Sequence, residues 1–379
     1  MKIRGRAFIA FMILALTVVM TGCVPRGATA NLGWTVVAAT QEAVYSALPT
    51  GQVIALDAAQ GSTLWTYPVP REGGGGFGAL FSRQVQEDVD SPLDGVYGVP
   101  AITEDLVLIP SYDHHLYAFD RATGDLVWSF AADEGIVGSV TVREGIVYFG
   151  ASDYRVYAVD VASGEPVWDT PFETGNWVWG APAVDDTRVY VGSMDHNVYA
   201  LERETGRLVW QEDLGASIPG AVTLADGVLY VGGIDNQLHA LNAADGSEQW
   251  TASLGDWVWG QPVVVEGYVY ATSLDGRVHG LDVTDGSPRW AAIAVEGALR
   301  AGPAFQDGHL IVGTEAGNVY RIDVEAGTAQ QLATAQGAVL SKPAVVEEMV
   351  YVGTTLGNVV ALNTDVGGDP TVWVYPPAE

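Results

Sequence analysis

The sequence predicts an all-β fold, an eight-bladed β-propeller of four-stranded antiparallel blades, on three observations. A unit of about forty residues recurs eight times; each copy holds four short apolar runs separated by turn residues; and a tryptophan closes most copies in constant phase. The clearest copy runs from Gly180 to Trp210 as GAPAVDDTRVYVGSMDHNVYALERETGRLVW. Equivalent openings fall at Gly33, Gly98, Gly138, Gly220, Gly260 and Gly302, with Ser341 in the last slot. The closing residues are Trp65, Trp128, Trp168, Trp210, Trp250 and Trp290, then Gln331 in the seventh copy and Trp373, displaced by two residues, in the eighth. From Trp128 to Trp290 they follow one another at 40 or 42 residues.

Within a copy, the first strand is a Pro-Ala-Val stretch, the second Val-Tyr-Val-Gly, the third Val-Tyr-Ala-Leu-Asp and the fourth Leu-Val-Trp. No helical period competes with these runs. Asp275-Gly276, and Asp113, Asp153, Asp195 and Asp235 at the same place elsewhere, predict a tight primed turn between the second and third strands. Thr123-Gly124, Ser163-Gly164, Thr205-Gly206, Asp245-Gly246 and Asp285-Gly286 mark the turn from the third to the fourth. A run such as Val198-Tyr199-Ala200-Leu201 is apolar on both faces and requires cover on both. Radially stacked blades supply it and leave only short edges at the rim. One chain therefore forms the whole ring over residues 31–379, and a monomeric propeller is expected.

The core A-[LV]-D-x-x-[TS]-G-x-x-x-W, as in Ala158-Val159-Asp160 through Trp168, resembles the tryptophan-docking repeat of quinoprotein-type (PQQ-like) propellers over essentially the whole mature chain. The resemblance implies that the seven closing tryptophans dock one blade on the next. A lipidated chain of eight blades without further domains is similar to the BamB-type lipoproteins of the outer-membrane β-barrel assembly machinery. That likeness rests on size, blade number and anchor rather than on a residue motif. It implies a non-enzymatic scaffold with protein partners. Redox quinoproteins are longer, and many carry a vicinal cysteine pair and a calcium-binding set; this chain has one cysteine, so a PQQ-dependent dehydrogenase is disfavoured and no cofactor is expected.

The amino terminus carries the other specific signal. Lys2, Arg4 and Arg6 precede an apolar segment from Ala7 to Met20, and Met20-Thr21-Gly22-Cys23 reads as a lipoprotein cleavage site. Residues 1–22 are thus expected to be a signal peptide, Cys23 the point of lipid attachment, and 23–30 a short tether holding the propeller near a bacterial membrane on its extracytoplasmic side. That membrane is the outer one, if the cell has one. Removing the signal takes three of the 17 basic residues and none of the 46 acids, leaving 14 − 46 = −32. Lys342 is then the only lysine. Such a field excludes nucleic acid and bare anionic headgroups as partners.

Irregularities mark where function can depart from scaffold. An insertion over 71–94 opens with Gly73-Gly74-Gly75-Gly76 and ends in Glu87, Asp88 and Asp90; it lacks the lysine of a phosphate loop. More informative are Trp177-Val178-Trp179-Gly180 and Asp256-Trp257-Val258-Trp259-Gly260, which lead into the innermost strands of the fourth and sixth copies. Tyr97, Trp179 and Trp259 immediately precede the opening glycine, and Arg300 lies two before Gly302. Because strands alternate in direction, these residues and the Asp-containing turns share one end of the propeller. Aromatic groups around a concave mouth suit a partner segment, a glycan or a small ligand. A surface receptor binding there is the alternative to the scaffold, and Trp177 and Trp257 are its first candidates. Tryptophan in such repeats also serves packing, which weighs against all four. His239 and His279 stand where other copies have Tyr117, Tyr157, Tyr199 and Tyr320, and no His pair has metal-ligand spacing. Neither a catalytic set nor a metal site is expected, since acyl transfer has no nucleophile in a suitable context.

Overall fold

The computed structural model describes residues 33–68 and 93–376. The signal segment 1–22, Cys23, the 23–30 tether and all but Leu93 and Asp94 of the 71–94 insertion lie outside those residues. Within them the chain forms thirty-two strands in eight antiparallel sheets of four, in strict chain order, and no helix. Blade 1 sets the pattern: β1 (Val36–Ala39) lies innermost, followed by β2 (Ala43–Ala47), β3 (Val53–Asp57) and β4 (Thr63–Tyr67) at the rim.

Burial follows from this stacking. Second and third strands are covered on both faces, as in Val189, Tyr190, Val198, Ala200 and Leu201. Outer strands alternate instead, Leu126–Ala131 reading half-buried, exposed, half-buried, because only one of their faces meets a neighbour. Eight apolar clusters result, each built from two adjacent blades.

Seven junctions share one device. The closing indole of each repeat lies on the next blade's turn glycine, where a Cβ at Gly124 would come 2.6 Å from the Trp65 ring and one at Gly164 2.8 Å from Trp128. Each Nε1–H also donates to a carbonyl of that blade: Trp65 to Arg121, Trp128 to Val161, Trp168 to Arg203, Trp210 to Ala243, Trp250 to Val283, Trp290 to Val324 and Trp373 to Ala58, at 2.9–3.2 Å. The glycine is needed twice over, since Gly124 also sits at φ +77°.

The junction between blades 7 and 8 differs, and it corrects the sequence alignment. Gln330 rather than Gln331 faces the position that holds alanine or glycine elsewhere, and that position is Arg321. The bulge has moved up the strand, to Val319/Tyr320 from the Ala200/Leu201 place it takes in blade 4. Arg321 takes over the indole's bond, its Nη1 donating to the Thr364 carbonyl at 3.0 Å while Nη2 donates to Gln330 Oε1. A small residue beside a tryptophan has been exchanged for a long cation beside a glutamine.

No strand is exchanged at ring closure. Blade 8 meets blade 1 through Val37, Val44, Ile54 and Leu56 packed with Tyr351, Val359 and Ala361. Ser341 Oγ adds a hydrogen bond to the Thr35 carbonyl at 3.2 Å, and Trp373 docks on blade 1.

The Asp-containing turns also differ from expectation. Only one residue is left-handed in each, such as His196 at φ 82° or Asn236 at φ 69°. Asp195 precedes it in ordinary geometry, and the loop closes through Ser193 N–H to the Asn197 carbonyl and His196 N–H to the Ser193 carbonyl. This is a three-residue turn with a bulge, which needs one left-handed residue where a two-residue primed turn needs two.

Candidate functional site

Two further registers change once the strands are paired. Ala304 faces Ile311 as Ala183 faces Tyr190, so Ala301 and not Gly302 fills the opening slot of blade 7. Likewise Ala38 faces Tyr45 as Ala344 faces Tyr351, so Thr35 and not Gly33 fills that of blade 1. Arg300 and Trp34 thereby join Tyr97, Trp179 and Trp259 at one level, just before the opening slot.

Those five line a central channel of about 530 Å³, with Val137, Pro219 and Leu340 completing an eight-membered collar. The opening glycines sit tight against one another: a Cβ on Gly180 would collide with the Gly220 carbonyl and one on Gly98 with that of Gly138. Such close approach draws the collar residues in around the axis.

In both tryptophan motifs the middle residue is the anchor. Val178 and Val258 are fully buried and press on Gly150 and Gly232 of the preceding blades. Alternation along an extended segment then puts the flanking indoles on one face. Trp177 and Trp179 stack, their centroids 4.8 Å apart at 9°, and Trp179 Nε1 donates to Ser152 Oγ at 3.1 Å. Of the four indoles only Trp179 and Trp259 line the channel; Trp177 and Trp257 are half-buried outside it. Their carbonyls accept from Met194 and Leu274 in the Asp-containing turns, so both loops share one end of the ring. The Arg300 guanidinium lies 5.8 Å from the Trp259 ring centroid and pairs with Glu315. Tyr97 meets Trp34 edge-on at 4.7 Å, and burial first, then the Tyr112 and Asp94 charges, push its phenol up to about 12.

The turn carboxylates are engaged by their own blades. Asp195 accepts from Tyr199 Oη at 2.7 Å and from the Asn197 and Gly175 amides. Burial raises its pKa, but these bonds outweigh it and hold the group below the usual carboxylate range. His239 replaces tyrosine in the same role, its ring nitrogens 3.1 Å from Asp235 and 3.0 Å from Glu248. Among the described residues no group of three His, Cys, Asp or Glu is placed to hold a metal ion.

His279 is buried beside Ser273 Oγ at 3.0 Å. Burial depresses its pKa; the Asp275 charge opposes that and the Arg277 charge adds to it. The folded state thus binds the proton less well than the unfolded one, and stability is lost as pH falls through about 6.5. Between pH 7.5 and 5, His279→Phe should lose less melting temperature than the parent; parallel profiles would contradict this.

Sequence reasoning missed Trp34, Leu340 and the location of Lys342. Lys342 lines the channel one residue past the opening slot of blade 8. Proline stands one residue further on, at Pro343 here and at Pro182 and Pro262 in other copies, and Pro303 would have indexed the seventh correctly.

Eight four-stranded blades, seven of them locked by an indole around an aromatic-collared channel, define a PQQ-like β-propeller. The family model described as outer membrane protein assembly factor BamB matches residues 76–192, 155–292 and 275–375, and the chain belongs to that family. Among solved structures it is similar to the computationally designed Ika8 protein, with TM-score 0.74 and 17% identity over 88% of this chain and 98% of that one. It is also similar to BamB from Moraxella catarrhalis, with TM-score 0.68 and 20% identity over 88% and 94%. At these identities the likeness is one of fold. No curated protein sequence matches the chain significantly.

Proposed function

We propose that this chain is a non-enzymatic scaffold, held by lipid on Cys23 at the extracytoplasmic face of a bacterial outer membrane, that serves the assembly of outer-membrane proteins. The family match across most of the propeller carries this reading. The rim supports it, because free strand edges accept an extended partner segment by strand addition. The edges are unequal. Outer strands of blades 2, 4 and 5 run six residues and that of blade 7 seven, whereas those of blades 3 and 6 run two. In the latter pair Pro166 and Pro288, which have no N–H to offer, sit in isolated bridges where the outer strand starts elsewhere. Blade 4 offers an edge with two exposed apolar side chains, Leu208 at 47% and Val209 at 46%.

The test is crosslinking of the lipidated protein in its own membranes, followed by pull-down. Proteins that assemble outer-membrane β-barrels should be recovered, and a Leu208→Glu/Val209→Glu variant should recover at least tenfold less with an unchanged melting temperature. Recovery of none from the parent overturns the assembly reading; equal recovery by the variant overturns the blade 4 edge. Cys23→Ser should move the folded protein to the soluble fraction, and its retention after a salt wash would refute the anchor.

A further inference from the structure

The channel wall is electrostatically unlike the rest of the molecule. In a chain with 46 acidic residues, none lines it, and its two charged side chains, Arg300 and Lys342, are both cationic. Arg300 is neutralised by Glu315, which lies outside the lining. Lys342 has no hydrogen bond or ion pair among the described residues, and burial alone acts on it, holding its ammonium below the ordinary lysine range. Among the described residues five of the nine other arginines meet carboxylates, Arg121, Arg143, Arg155, Arg203 and Arg277. An ammonium in a confined wall without a counter-ion costs desolvation energy that nothing in the protein offsets. Trp34, which belongs to the collar, also carries an unpaired polar atom: its Nε1 is buried without a partner among the described residues.

We propose that the channel is a binding site for an amphipathic carboxylate, its anion on Lys342 and its apolar body against the collar of Trp34, Tyr97, Trp179 and Trp259. Each part follows from the wall. The lone ammonium selects a single negative charge, because the surrounding acidic field repels polyanions before they reach it. The indoles and the phenol offer area to an apolar body, and about 530 Å³ is within the range of small-ligand sites. The carboxylate can belong to a free organic acid or be the end of a polypeptide. This site goes beyond the assembly reading and does not depend on it, since the rim edges and the channel are separate surfaces.

The single lysine of the mature chain makes the test specific. Reductive ¹³C-methylation of the intact protein should give one side-chain signal, absent from Lys342→Arg, whose shift reports the ammonium directly. Titration with N-acetylphenylalanine should move that signal and quench tryptophan fluorescence with one saturating affinity. Its neutral amide should bind at least tenfold more weakly, as should inorganic phosphate, which has no apolar body. Lys342→Met should lose the binding at least tenfold while melting no lower than the parent, since it removes an uncompensated charge, and Lys342→Arg, unmethylated and followed by fluorescence, should retain it. A heptapeptide ending in phenylalanine with a free carboxylate distinguishes the sources: binding as tight as that of the free acid admits a polypeptide end, and weaker binding restricts the site to small acids. Equal affinity for the amide, equal affinity for phosphate, or unchanged binding by Lys342→Met would each overturn the proposal, and pull-down of assembly partners would be unaffected in every case.

Discussion

Trp210→Ala should lower stability by about 3–5 kcal/mol, the usual cost of deleting a large aromatic packed against a core, while Gln330→Ala, at the matching place in blade 7, should cost less than about 1 kcal/mol. Three losses coincide at Trp210. Its ring covers Gly246, where a Cβ would come 2.7 Å from the indole. Its Nε1–H leaves the Ala243 carbonyl, now bonded at 3.1 Å, and its face leaves Tyr190, 6.1 Å away between centroids. Gln330 is exposed and bonds only Arg321. Urea melts of the two variants decide the matter: equal losses would show that the repeat tryptophans do not dock the blades. The same logic makes Arg321 the residue to watch at that junction, since it supplies the only bond there that an indole makes elsewhere.

The repeat made the fold legible because eight in-phase copies average out local ambiguity, so strand order and blade number needed no tertiary information. Register was less legible wherever one copy bends the rule. Ala301-Gly302-Pro303 carries its glycine one residue late, which drew the seventh opening to the wrong place, and the first copy has Val37 where five others have proline. Gln331 looked like the docking position because counting along the strand cannot see that a bulge has moved. At the mouth, aromatic residues were recognisable but their directions were not. The depth of Val178 and Val258 sets both indoles of each pair on one face, and only the assembled ring shows that Trp179 and Trp259 reach the channel while Trp177 and Trp257 stay outside it. Lys342 was conspicuous as a solitary lysine; that its surroundings hold no acid is a property of eight separate segments meeting, and no single stretch of sequence displays it.

Trp373→Ala should have a different signature from Trp210→Ala despite a similar cost of about 3–5 kcal/mol. Blades 4 and 5 are joined by the chain, so losing Trp210 weakens a junction that cannot separate far. Blades 8 and 1 have no such link and no shared strand. Their contact includes the apolar cluster around Tyr351 and Ile54, the bond from Ser341 to Thr35, one from Gln41 Nε2 to Glu347 Oε1 at 2.6 Å, and two donors to Ala58, Trp373 Nε1 at 3.0 Å and Tyr351 Oη at 3.2 Å. On its other side blade 8 meets Arg321 instead of a tryptophan. Trp373 is therefore the one indole that fastens blade 8 to either neighbour. In a stack of nearest-neighbour units, weakening a terminal unit on the side that no chain connection holds lets that unit open before the rest. Hydrogen exchange should show the strands Met349–Gly353 and Val359–Asn363 losing protection well ahead of the other blades in Trp373→Ala, whereas in Trp210→Ala blade 8 should keep its protection relative to the ring. If Trp373→Ala instead exchanged uniformly around the ring, the seam would not be the weak point, and the apolar cluster alone would be enough to close it.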